Sequence, residues 1–108
     1  MDKNIWVVDD DESIRWVLEK GLADSGMDVQ TFDSANKVIK KLETENPQLI
    51  LTDIRMPGPS GIDLLDKVKE LRPDIPVIIM TAHSDLDSAV ESYEHGAWEY
   101  LPKPFDIE

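Results

Sequence analysis

The sequence has 108 residues, a net charge of −12 at pH 7 and no cysteine. This length suits one domain with a single modest core. The excess of acidic residues would repel phosphate backbones and argues against direct nucleic-acid binding, and the lack of cysteine excludes a disulfide framework and a thiolate metal site. No secretory signal and no apolar run long enough for a bilayer are present, so a cytoplasmic location without a membrane partner is expected.

Three short apolar runs predict buried β-strands at residues 5–8, 49–52 and 77–80. They are rich in β-branched or bulky residues and show no polar alternation, which is typical of strands covered on both faces of a parallel sheet. Two weaker segments, at residues 28–32 and 99–101, predict edge strands. Trp6 and Trp16 are expected to pack in the core or to half-cover it.

Four amphipathic helical patterns separate these strands, in residues 12–26, 34–45, 61–71 and 85–95. Alternating strands and helices predict an α/β fold, doubly wound around a five-stranded parallel sheet. With right-handed crossovers the strand order is 2-1-3-4-5, and the winding reverses between strands 1 and 3. Ligands in such sheets bind outside the carboxyl ends of the strands at this reversal.

Acidic residues follow both strands that flank the reversal. Asp9 and Asp10 come directly after strand 1, and Asp53 ends strand 3. Neighbouring strands lie about 5 Å apart, so these carboxylates converge and need a cation to stay ionised together. Oxygen ligands without His or Cys predict a hard ion, Mg²⁺ before a transition metal. Asp11 and Glu12, in contrast, suit the first turn of a helix.

A hydroxyl and an ammonium group complete this set. Thr81 ends strand 4 beside Asp53, and Lys103 lies between two prolines past strand 5, two strand spacings or about 10 Å away. Mg²⁺ and Lys stabilise phosphoryl oxygens, and a carboxylate can accept the phosphoryl group. Asp53 is the expected acceptor because it leaves a buried strand for a loop that is rich in Pro and Gly, "LTDIRMPGPSG".

Four segments, "VVDDDESIR", "LTDIRMPGPSG", "VIIMTAHSD" and "YLPKPF", occur in an order and spacing that resemble the receiver domain of bacterial response regulators. The resemblance covers essentially the whole chain, residues 1–108, and implies a flavodoxin-like (CheY-like) fold. The longer matches "IMTAHSDLDSAV" and "YLPKPFD" are similar to the nitrogen-regulatory branch of the family, whose members activate sigma-54-dependent transcription. The chain ends at "FDIE", so a receiver truncated before its fifth helix is expected.

The resemblance implies a role for each residue of the site. It makes Asp9 and Asp10 an acidic pair that binds Mg²⁺, although a shift of one residue, to Asp10 and Asp11, stays open. It makes Asp53 the phosphoacceptor and the backbone carbonyl of Arg55 a further metal ligand. It makes Thr81 the switch hydroxyl, Tyr100 the switch aromatic residue and Lys103 the phosphate-binding lysine.

The resemblance also implies partners. A sensor histidine kinase supplies the phosphoryl group, and the family member assists its own phosphorylation and dephosphorylation without being an enzyme for other substrates. The surface of the fourth helix and fifth strand, with Tyr93 and Trp98 exposed, is the expected readout and a possible homodimer interface. The attached output is expected to be an ATPase and a DNA-binding domain.

Three other functions compete with this interpretation. An aspartate-nucleophile phosphatase needs a second Asp two residues after the nucleophile, where this chain has Arg55. A flavin or dinucleotide binder needs a Gly-rich or Ser-rich first turn, and here that turn is acidic. A stand-alone phosphorelay or chemotaxis-type receiver stays open as the alternative. His95 is interpreted as a surface or helix-capping residue without a catalytic partner in the sequence.

Overall fold

The apolar and alternating segments form five parallel strands in the computed structural model, which describes residues 4–54, 56, 58–82, 91 and 94–103, and of these residues 81, 82 and 99–103 by their backbone alone. The elements in chain order are β1 (Asn4–Val8), α1 (Glu12–Asp24), β2 (Asp28–Phe32), α2 (Ala35–Lys41), β3 (Leu49–Asp53), α3 (Gly61–Leu71), β4 (Val77–Ala82) and β5 (Glu99–Lys103). The helix predicted over residues 85–95 falls mainly outside the described residues.

The strand order is β2-β1-β3-β4-β5 and every pairing is parallel, as predicted. The two segments with the weaker patterns are the edge strands. At the reversal, Val8 of β1 pairs with Thr52 of β3. The residues that follow Val8 and Thr52, which are Asp9 and Asp53, therefore leave the sheet side by side.

The core has two layers, one on each face of the sheet. Alternate strand residues such as Trp6 and Ile50 face α2 and α3, and their neighbours such as Val7 and Leu51 pack in a second cluster with Leu18 of α1. The central strands are therefore buried on both sides, and this explains why their sequences run apolar without alternation. Each fully buried aliphatic side chain contributes about 1.5–3 kcal/mol through the hydrophobic effect.

Helix α2 is shorter than the sequence pattern predicts. It ends at Lys41 rather than near residue 45, and the amide groups of Glu43 and Thr44 bond back three residues, which is a tightened turn. Pro47 disfavours helical backbone only at Asn46, so the earlier end coincides with the tightened turn and not with the proline. Arg72, which caps α3, donates to the carbonyl of Leu42 at 3.1 Å and so joins the ends of the two helices.

Strand β5 is longer than predicted and runs through Lys103, which pairs with Ala82. The sequence predicts this strand over residues 99–101 only. Pro102 cannot donate a hydrogen bond to a ladder, but β5 lies at the edge of the sheet, where a proline is tolerated. Lys103 is consequently a residue of the strand itself rather than of a loop after it.

Tryptophan placement follows the faces of the elements. Trp6 is fully buried and packs against Phe32, with ring centroids 5.2 Å apart. Of the two alternatives for Trp16, packing in the core is wrong: its side chain is 61% exposed, because it lies two positions from Ile14 and Leu18 and so points away from their inward face. Trp98 is exposed, as predicted. Within the described residues, no helix combines the length and apolar character needed to cross a bilayer.

Candidate functional site

The turn from β1 into α1 fixes Asp9. Its amide N–H donates to the carbonyl of Phe32 at 3.0 Å, which continues the pairing of β1 with β2 by one residue. Its carboxylate accepts from the amide of Asp11 at 2.9 Å, and its own carbonyl accepts from the Arg15 guanidinium at 2.7 Å. Asp9 is fully buried although it carries a carboxylate. Asp10, the next residue, is exposed.

Asp11 has a different task from its neighbours. It is the N-cap of α1, and its carboxylate accepts a hydrogen bond from the amide of Ser13 at 2.8 Å. Glu12 lies in the first turn, where its charge suits the positive end of the helix dipole. Both residues therefore play the helix-start role that the sequence indicated.

Asp53 is the last residue of β3 and is 8% exposed. The start of α3 packs directly against its backbone: the amide of Gly61 donates to the carbonyl of Ile54 at 2.8 Å. A Cβ atom at position 61 would lie 2.2 Å from the Asp53 carbonyl oxygen and 2.9 Å from the Ile54 Cα. Only glycine therefore allows the helix to approach this strand end so closely.

A capping box holds the same end of α3 in place. The Ser60 hydroxyl accepts from the amide of Asp63 at 3.1 Å, and the Asp63 carboxylate accepts from the amide of Ser60 at 2.9 Å. This helix start has a local signal in the sequence, because Ser followed three residues later by an acid before an apolar run predicts a capping box. The loop after Asp53 is thus tied down at its far end.

The turn and the strand end bring three acids together. One carboxylate oxygen each from Asp9, Asp10 and Asp53 lies within 4.8 Å of the other two. Two of these residues are buried and one is exposed, so the group opens to solvent on one side. Oxygen ligands on opposite sides of a magnesium ion stand about 4 Å apart. The group therefore fits a small hard cation, which would relieve the repulsion among the carboxylates.

The other predicted site residues are described only in part. Asp53 pairs with Met80, and in the next pair of strands Thr81 faces Pro102 and Ala82 faces Lys103. Thr81 and Lys103 therefore extend β4 and β5 beyond the row of Asp53, at the same edge of the sheet as the acids. Tyr100 pairs with Ile79, further inside the sheet. Arg55 and Tyr93 lie outside the described residues.

His95 has a partner that the sequence did not reveal. Its Nδ1 lies 2.7 Å from Oδ1 of Asp66 on α3, and its Nε2 lies 3.9 Å from the Glu91 carboxylate. The hydrogen bond with Asp66 raises the pKa of His95; burial opposes this, and the charges of Asp66, Glu91 and Glu94 add to it. The contact joins positions 29 residues apart in the chain, which no local pattern can predict.

The sequence profile of the response regulator receiver domain matches residues 5–108 of this chain. Among curated proteins, the DNA-binding transcriptional regulator NtrC of Klebsiella pneumoniae is 57% identical over 103 residues, which are 95% of this chain and 22% of that protein. NtrC of Escherichia coli strain K12 is 56% identical over 104 residues, 96% of this chain and 22% of the relative. The chain thus spans about a fifth of the length of these relatives.

A solved structure of the same kind of protein is similar to this chain in both sequence and fold. The solution structure of the apo receiver domain of nitrogen regulatory protein C is 56% identical and superposes with a TM-score of 0.86, covering 99% of this chain and 87% of that one. The residues that bring the acids together thus lie in a fold whose likeness to known proteins extends over nearly the whole chain.

Proposed function

The chain belongs to the response regulator receiver domain family, and on that premise we propose that it accepts a phosphoryl group on Asp53 in the presence of Mg²⁺. The observation that carries this proposal is the group of Asp9, Asp10 and Asp53, whose carboxylate oxygens lie within 4.8 Å of one another at the carboxyl ends of β1 and β3. Asp53 is the member that ends a strand and precedes the loop to α3.

The proposed chemistry is a phosphoryl transfer to a carboxylate. An Asp53 carboxylate oxygen attacks phosphorus, and the bond between phosphorus and a histidine nitrogen of the donor breaks, so that an aspartyl phosphate and a free imidazole result. When bound, Mg²⁺ would neutralise charge on the phosphoryl oxygens. Asp9, Asp10 and Asp53 would hold the ion, with the backbone carbonyl of Arg55 as a further ligand.

Three residues beyond the acidic group would read out the modification. Lys103 would bind a phosphoryl oxygen, and the Thr81 hydroxyl would hydrogen-bond another. The movement of Thr81 would free space that Tyr100 fills by turning inward, and residues 82–101 would shift with it as a change in the population of two states. The placement of residues 81 and 103 at the same sheet edge as Asp53 supports this part.

We propose the partners from membership of the receiver family. A sensor histidine kinase would donate the phosphoryl group, and the chain would catalyse nothing beyond its own phosphorylation and dephosphorylation. We propose a sigma-54-dependent, nitrogen-related transcriptional output, supported by 57% identity to a DNA-binding transcriptional regulator. A homodimer is supported by the solved receiver dimer of beryllofluoride-activated NtrC4, which is 36% identical with a TM-score of 0.90, covering 97% of this chain and 87% of that one.

The direct test is the intact mass of the protein after incubation with Mg²⁺ and acetyl phosphate, with rapid acidification because acyl phosphates are labile. We expect one phosphoryl adduct on the parent chain and on Asp74→Asn, a control that removes an exposed acid away from the site. Asp53→Asn should carry no adduct. An adduct that persists on Asp53→Asn would assign the phosphoryl group to another residue and overturn the proposal.

The output needs its own test. This chain can replace the corresponding segment of Klebsiella pneumoniae NtrC, and transcription of a nitrogen-regulated reporter can be followed during nitrogen limitation. We expect activation by the chimera and none by its Asp53→Asn form. If the isolated chain takes the adduct but the chimera is silent, the phosphoacceptor role stands and the nitrogen-related output is wrong.

A further inference from the structure

The acidic group borders a cation to which the sequence gives no role in the site, Arg15. Arg15 lies in the first turns of α1, is half-buried, and its Nη1 donates to the backbone carbonyl of Asp9 at 2.7 Å. This carbonyl belongs to a fully buried residue just past the end of β1. A buried carbonyl without a donor is costly, so the guanidinium satisfies a group that the sheet does not.

The carbonyl in question belongs to the peptide plane that joins Asp9 to Asp10. A hydrogen bond to it fixes the rotation of that plane, and the plane sets the direction in which both side chains leave the backbone. The Asp9 amide and one of its carboxylate oxygens bond to the carbonyl of Phe32 and the amide of Asp11, at 3.0 and 2.9 Å. Arg15 therefore supplies the contact that orients the link between two members of the acidic group.

Arg15 also ties this turn to its surroundings. Its own amide donates to the carbonyl of Asp11 at 3.1 Å, so backbone and side chain of one residue hold both ends of the turn. The pKa of Asp33, which follows β2, is lowered mainly by its hydrogen bond with Lys37, and the charges of Lys37 and Arg15 contribute to the same direction. The guanidinium thus acts near the ends of both β1 and β2.

We propose that Arg15 is a positioning residue for the acidic group: through the Asp9 carbonyl it holds Asp9 and Asp10 in the orientation that binds Mg²⁺. This inference rests on the proposed function. It has a distinctive sign, because a cation near the site repels Mg²⁺, so the loss of a purely electrostatic Arg15 would tighten binding. Loss of a positioning contact would weaken binding, by about 10-fold to 100-fold for residues that orient metal ligands.

The test is calorimetric titration of the full 108-residue chain with MgCl₂. Arg15→Ala should weaken Mg²⁺ binding about tenfold or more. The matched control is Lys20→Ala, which removes the same charge from an exposed position of the same helix, where the ammonium lies over the Trp16 ring; its affinity should stay within about twofold of the parent. Unchanged or tighter binding by Arg15→Ala would overturn the proposal.

Arg15→Lys separates charge from contact. It keeps the charge but loses the planar fork and shortens the reach to the Asp9 carbonyl, so we expect weaker Mg²⁺ binding than in the parent. Parent affinity in Arg15→Lys would show that the guanidinium contact is dispensable and would contradict a positioning role. This variant also carries the test if Arg15→Ala does not fold.

A second readout needs no metal. The amide of Asp11 donates to the Asp9 carboxylate, so its hydrogen exchange reports whether that carboxylate keeps its orientation. Without Mg²⁺, exchange at Asp11 should be faster in Arg15→Ala than in Lys20→Ala, and equal rates would overturn the proposal. If the parent chain neither binds Mg²⁺ nor takes a phosphoryl adduct, the proposed function fails, yet exchange at Asp11 still decides the role of Arg15.

Discussion

A single hydrogen atom in place of a side chain determines how α3 meets Asp53. The two backbone atoms that a Cβ at position 61 would strike, the Asp53 carbonyl oxygen and the Ile54 Cα, belong to the chain that leads to the proposed acceptor. Gly61→Ala must therefore move either the helix or the strand end. We expect a loss of about 1–3 kcal/mol in unfolding free energy, measured by urea denaturation, together with slower phosphorylation of Asp53 by acetyl phosphate.

Gly58→Ala is the matched control for this prediction. Gly58 has a φ of +79° and open space around its Cα, so alanine there carries only the conformational cost of the left-handed region, about 1–2 kcal/mol, without a clash. Its phosphorylation rate should change less than that of Gly61→Ala. Equal rates in the two variants would show that the close approach of α3 does not position Asp53.

At this scale the sequence predicted the residues with a local signal and missed those that depend on tertiary contacts. Asp9, Asp10 and Asp53 could be predicted because each follows an apolar strand, and strand ends meet at one edge of a parallel sheet. Arg15 could not, because its contact depends on the rotation of one peptide plane. The sequence places Gly61 at a helix start, but only the packing of that helix against the end of β3 shows that the position cannot hold a Cβ atom.

Helix and strand ends were harder to predict than the elements themselves. β2 and α3 have the predicted bounds, because Pro and polar residues punctuate them clearly. The sequence predicts an α2 that runs past its observed end, because the apolar spacing continues through Leu42 while the hydrogen bonds already tighten. It predicts a β5 that is too short, because Pro102 is tolerated only at an edge strand, and only the assembled sheet shows that β5 is one.

The contact between His95 and Asp66 joins α3 to the chain that precedes β5. The pKa of His95 is raised, so the stability from this pair is complete below the ordinary pKa of 6.5 and is lost as the pH rises through the raised value. In Asp66→Asn the pKa of His95 should fall, as measured by NMR titration. The unfolding midpoint of the parent should be higher than that of Asp66→Asn, and this difference should be larger at about pH 6 than at about pH 9.

Asp74→Asn serves as the control for this pH dependence, because it removes an exposed acid three residues past the end of α3. The difference in unfolding midpoint between Asp74→Asn and the parent should not change sign or grow over the same pH interval. The interpretation of the pair is wrong if Asp66→Asn leaves the pKa of His95 at its parent value, since the hydrogen bond with Asp66 is the largest cause of the shift.

Charge dominates the molecule as a whole. A net charge of −12 on 108 residues disfavours compactness through self-repulsion, and the group of three acids concentrates part of it at one sheet edge. A divalent cation that binds there should stabilise the fold by mass action, by about 1.4 kcal/mol for each tenfold excess over its dissociation constant. For a domain of this size, 1 kcal/mol raises the melting temperature by about 4–8 °C.

Thermal melts in MgCl₂, compared with melts in NaCl of equal ionic strength, test whether Mg²⁺ stabilises the fold. They also decide whether Asp9 and Asp10 or Asp10 and Asp11 form the metal-binding acidic pair. We expect Asp10→Asn to be more stable than the parent without Mg²⁺, because a like charge is gone, and to lose the stabilisation by Mg²⁺. Asp11→Asn should keep it, because Asn also caps a helix and the Asp11 carboxylate already accepts from Ser13. Loss of the Mg²⁺ effect in Asp11→Asn would instead favour Asp10 and Asp11 as the pair, and an equal effect of NaCl would mean screening without a site.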